Sequence, residues 1–132
     1  MQTGYIADGY TVSAYLAEAP KLYPALRFKF RPCTSEEVNG FIESLAGKGA
    51  REEARAVAKF LATKIASWDV QDAAGKEILV SEAALSRLHV SLSRRLYRVV
   101  IGTEAWDDDP QAPTDQADRQ AGDAKAAADA GN

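Results

Sequence analysis

Apolar and polar residues change their period several times along this chain, and each change marks an element. Tyr10-Thr-Val-Ser-Ala-Tyr-Leu16 is rich in β-branched and aromatic residues, and Leu26-Arg-Phe-Lys-Phe-Arg31 alternates strictly. In the second run Leu26, Phe28 and Phe30 share one face and Arg27, Lys29 and Arg31 the other, as in a strand buried on one side. Pro20 and Pro24 between the runs forbid a regular helix, and Pro32, with no N–H for a ladder, ends the second. The expectation is an antiparallel pair joined by a loop longer than a tight turn. Such a pair is marginal alone in water and needs an apolar surface beneath it.

Helices supply that surface. Thr34-Ser-Glu-Glu37 has the form of a capping box, and Val38, Phe41, Ile42 and Leu45 follow at helical spacing until Gly47-Lys-Gly49. From Ala50 to Ser67 a longer helix is predicted. Ala54, Val57, Ala58, Leu61, Ile65 and Trp68 fall on one face, with Glu52 and Glu53 in the first turn and Lys64 in the last. Asp72-Ala-Ala-Gly75 has turn chemistry between Val70 and Ile78-Leu-Val80, which predicts a second short hairpin. Ser81 caps a further helix through Leu85 and Leu88, which bends or breaks near His89-Val-Ser91 and resumes to Gly102. The fold class is therefore α+β and mostly helical, in one domain over 1–102.

Charge alters this picture at Gly102. Residues 1–102 hold 14 Lys+Arg against 11 Asp+Glu, and residues 103–132 hold 2 against 8, so +3 and −6 make up the overall −3. Beyond Trp106 no large apolar residue occurs, so residues 103–132 read as a disordered acidic Ala/Asp tail. No run of about 18 apolar residues exists to span a bilayer, and no basic-then-apolar signal pattern opens the chain. The single cysteine, Cys33, allows no internal disulfide, so nothing argues for secretion.

Catalytic chemistry is thinly provided. His89 is the only histidine, and neither it nor Cys33 lies in a nucleophile motif; no metal-ligand spacing occurs, so no cofactor is expected. If 82–101 were one helix, Arg87, Arg94 and Arg98 would form a stripe with Arg95 beside it, and Arg27, Lys29 and Arg31 a second. A domain of only +3 is too weakly basic to favour nucleic acid over solvated faces; a middle reading has the tail visit the stripe in weak, salt-sensitive contact, and the sequence leaves open whether it docks there. Trp68 reads as core. Tyr5, Tyr10, Tyr15 and Tyr23 exceed what a small core buries and suit a half-wet interface, a route to self-association. Trp106 either anchors the chain back on the domain or docks elsewhere.

From Leu26 to Gly102 the succession resembles the small tail assembly chaperones of long-tailed bacteriophages. It is carried by Arg27-Phe-Lys-Phe-Arg-Pro32 entering a capped helix, a long Ala-rich helix ending in Ile65-Ala-Ser-Trp-Asp-Val70, the Asp72-Ala-Ala-Gly-Lys-Glu-Ile78 turn, and Ser81-Glu-Ala-Ala-Leu85 before a last helix to Ile101-Gly102. The resemblance implies a non-enzymatic protein of the host cytoplasm. It would hold the hydrophobic tape measure protein transiently, and in an extended form recruit tail tube protein. A virion structural component, such as a head–tail or tube-associated subunit, is the alternative. The implied mode needs an apolar groove for an amphipathic helix. The candidate partner-binding residues are Leu61, Ile65, Trp68, Leu92, Leu96 and Val99, with Tyr10 and Tyr15 on the hairpin. The helix positions are equally those of an ordinary core.

Overall fold

The fold was analysed in a computed structural model, which describes Gly4, Ile6 and residues 9–111. Two compact units divide the chain, Ile6–Asp107 and a second made of Met1–Tyr5 with Asp108–Asn132. In the second, the Asp109 carboxylate accepts the Gln111 N–H at 2.8 Å. From residue 112 on, the tail expected to be disordered lies outside the described residues, as does Tyr5.

Within Ile6–Asp107 a three-stranded antiparallel sheet carries helices on one face. Strand β1 (Val12–Leu16) pairs with β2 (Leu26–Phe30), Ala14 opposite Phe28, so the expected N-terminal hairpin forms with its alternating face inward. Leu26, Phe28 and Phe30 are buried, while Lys29 is exposed. The loop between the strands holds Lys21 at φ 70°, a left-handed conformation that a side chain disfavours.

Helix α1 (Ser35–Ser44) starts on the predicted capping box: the Thr34 hydroxyl accepts the Glu37 N–H at 3.2 Å and the Glu37 carboxylate accepts the Thr34 N–H at 2.9 Å. Helix α2 (Ala50–Lys64) is shorter than expected. It stops at Lys64, and Ile65–Trp68 turn without a loop into β3, antiparallel to β2 with Phe28 opposite Trp68 and a bulge between Lys29 and Phe30. Ile65 and Trp68 therefore leave the helix face assigned to them. Both point into the core all the same, because the bulge restores the inward direction that a plain period of two would lose.

The Asp72 turn forms the second hairpin: its carboxylate accepts the N–H groups of Ala74 and Lys76, both at 2.9 Å, and Ile78 N–H reaches Val70 C=O. Ser81 caps the short α3 (Glu82–Leu85), and α4 (Val90–Ile101) begins anew at His89. The break takes Arg87 off the helix that would have aligned it with Arg94 and Arg98. Gly102 closes α4 at φ 91°, where only glycine is unstrained.

The core joins the inner sheet face to Ala58, Leu61, Leu85, Leu92, Leu96, Val99 and Val100. It does not end at Gly102. Trp106 stands edge-on to Phe30 with ring centroids 5.9 Å apart, and Asp107 pairs with Tyr15 on the outer edge of β1. The domain boundary expected at 102 moves to Asp107.

Candidate functional site

A cleft of about 690 Å³ opens where the β1–β2 loop, the second hairpin and the α3–α4 junction meet. Leu26 and Leu92 form its buried floor, with Val70, Ile78, Ala84 and Leu88 half-buried around them. Its walls differ in chemistry. Asp69 and Asp72 come from the hairpin side, and each spends one oxygen on backbone, Asp69 on the Arg27 N–H at 2.9 Å. Arg87 and His89 come from the junction. His89 accepts the Ser91 N–H through Nδ1 at 3.1 Å, which caps α4; its ring centroid lies 6.3 Å from that of Tyr23. Among the described residues no carboxylate pairs with Arg87.

One exposed apolar side chain, Leu22, lines this cleft; Leu79, Val90 and Ile42, the other large apolar side chains exposed among the described residues, do not. Leu79 is 81% exposed in a segment without regular structure. A concavity with a mostly apolar floor and a few polar groups on its walls is the usual form of a binding site.

A second arrangement lies under α1. Phe41 stacks on Phe60 of α2 with centroids 4.2 Å apart, and Tyr97 of α4 lies 6.0 Å away. One turn earlier, Glu37 meets the ammonium of Lys64 at 2.7 Å. That hydrogen bond, with the Thr34 N–H, holds the Glu37 carboxyl below the usual carboxylate range. Lys64 is 8% exposed, the one charged residue that is buried among the described residues. Half-buried Cys33 lies beside this pair, and burial raises its thiol pKa; burial also raises the Tyr97 phenol.

At the far end of α4, Arg95 gathers the segment after Gly102. Its guanidinium donates two bonds to Asp107, both at 2.8 Å, and one to Glu104 at 2.6 Å, while Arg98 donates to the other Glu104 oxygen at 2.8 Å. Asp107 Oδ2 also accepts the Ala17 N–H at 2.8 Å. These bonds depress the Asp107 and Glu104 carboxyls and raise Arg95. Glu104 and Asp107 thus hold Arg95 and Arg98 by direct ion pairs within the main unit, contacts that the sequence left open.

The residues chosen from sequence divide sharply. Leu61, Ile65, Trp68, Leu92, Leu96 and Val99 are all buried, packed on one another and on the sheet, so they present no open groove. Helical spacing marks the inward face of α2 and α4, and here the sheet already covers it. Of the six, only Leu92 reaches the cleft. Tyr10 and Tyr15 are half-buried, with the Arg27 guanidinium 4.8 Å above the Tyr15 ring. Sequence reasoning missed Leu22, Ile78 and Arg87 as cleft residues. Leu22 and Ile78 stand in turn-rich segments where no period singles out an apolar residue, and Arg87 was read only as part of an arginine stripe. No group of three or more His, Cys, Asp or Glu side chains suited to a metal ion occurs among the described residues, and no helix there is long and apolar enough to cross a membrane. No protein-family model, curated protein or solved structure matches this chain.

Proposed function

We propose that this chain is a protein-binding module that serves as a tail assembly chaperone of a long-tailed bacteriophage. It holds the tape measure polypeptide transiently in the host cytoplasm and performs no chemistry on it. The observation that carries this reading is the cleft of about 690 Å³, with buried Leu26 and Leu92 and exposed Leu22 among its lining residues. A concavity of that size receives several side chains of an amphipathic segment, and mixed polar walls favour contact that is reversible. The order of elements from Leu26 to Gly102, which resembles that of the chaperone family, is the second support. Tail tube protein is the further partner this reading implies.

Co-expression with the tape measure protein of the same phage tests it. The wild-type chain keeps that protein soluble and is absent from finished particles. Leu22→Glu, at a site half open to water, leaves the melting temperature within about 2 °C yet weakens binding about tenfold, since an exposed change barely alters stability. Recovery of the chain from purified virions in fixed copy number would assign it instead to the particle, as a head–tail or tube-associated subunit.

A further inference from the structure

The hydrophobic core of the described residues is built without α1. None of the helix's side chains is buried, and none belongs to the core or to the half-buried layer packed against it. Val38, Phe41 and Leu45 are only half-covered, and Ile42 is 50% exposed. What holds α1 down is the Phe41 stack on Phe60, the approach of Tyr97, and the Glu37 bond to Lys64. What makes it a helix is local: a full capping box at Thr34 and acidic residues in its first turn. Its exit is Gly47, at φ 79°, followed by Lys48 and Gly49. A self-capped helix on a shallow seat with a glycine hinge is the kind of element that opens locally, well below the free energy of global unfolding.

We propose that α1 is a placeholder on a helix-binding seat formed by Phe60, Tyr97 and Lys64, and that a partner helix carrying an aromatic residue with a carboxylate one turn before it takes that place. The partner's chemistry is dictated by what α1 leaves behind. Phe60 and Tyr97 offer ring faces that an aromatic side chain satisfies better than an aliphatic one. Lys64 loses Glu37, its only ion-pair partner among the described residues, so the incoming helix must bring an acid to the same point. Glu37 and Phe41 stand four residues apart on one face, so a single turn of helix delivers both groups. This seat lies apart from the cleft, and the proposal stands whether or not the tape measure reading does.

The tethered α1 competes at an effective concentration on the order of millimolar, which lowers the apparent affinity of any rival. A synthetic peptide of residues 34–46 is therefore the probe, labelled at its C-terminus and read by fluorescence anisotropy. Full-length Phe41→Ala protein, whose own helix is weakened, binds it about tenfold more tightly than wild type does. Glu37→Gln protein shifts the same way and serves if the first variant fails to fold. Peptides carrying the Phe41→Ala or Glu37→Gln change lose about tenfold on the Phe41→Ala protein. Equal binding to wild-type and both variant proteins would overturn the proposal, as would α1 amides that exchange with solvent no faster than those of α2. Tape measure binding that persists while this peptide fails removes the seat alone. Peptide binding without tape measure binding removes the tail reading alone.

Discussion

Arg95 does more than any other side chain to fix where the chain goes after α4. It is one-fifth exposed, and its three bonds to Asp107 and Glu104 are charge-assisted on both sides. Arg95→Ala should cost about 2–3 kcal/mol in denaturant unfolding, and Arg95→Lys should recover under half of it, because an ammonium cannot bond Asp107 in parallel. The same group governs the acid response. Asp107 and Glu104 are depressed in the folded state, so their contribution is whole above the unfolded carboxylate value and is lost as pH falls through the folded one. Glu37 on Lys64 acts in the same sense. The melting temperature should be level above about pH 5 and fall below about pH 4, more shallowly in Arg95→Gln. An equal slope in the variant would mean that other carboxylates carry the effect. Trp68 gives a separate test. Its indole N–H donates to Ile78 C=O at 2.6 Å and its ring is 6% exposed, so Trp68→Phe should cost about 1–2 kcal/mol and Trp68→Ala about 3–5.

Among the elements, those written by local chemistry were legible and those written by distant contacts were not. The Thr34–Glu37 box, the Asp72 turn and the Ser81 cap name their structures because each bonds to neighbours within a few residues, and the strict alternation from Leu26 to Phe30 names its strand by its own period of two. The switch from α2 to β3 escaped. Leu61, Ile65 and Trp68 keep helical spacing, and what pulls Ile65–Trp68 straight is pairing with β2, some 40 residues upstream. The cleft escaped for a like reason, since three loops build it and no period runs through them. Gly102 makes the element-scale prediction. Its φ of 91° with nothing crowding a Cβ means that Gly102→Ala is strained by backbone alone, at about 1–2 kcal/mol. A neutral result in thermal unfolding would show that α4 ends another way.

At the scale of the molecule, the boundary of the folded body is the lesson. Composition placed it at Gly102, where acidic residues begin to outnumber basic ones. Glu104 and Asp107 are themselves part of that acidic count, yet they are spaced to meet Arg95 and Arg98, and Trp106 between them packs on Phe30. Truncation separates the two boundaries. A chain ending at Gly102 should melt at least about 5 °C below one ending at Asp107, corresponding to about 1 kcal/mol or more for a domain of this size. Equal midpoints would return the five residues to the tail.

Asp107 bonds to Ala17 across 90 positions of sequence. During synthesis the Tyr15–Ala17 end of the β1 border stays uncapped until this aspartate has left the ribosome. Termination just before codon 107 would therefore release a species whose strand border is open at that point and ready to stick to its siblings.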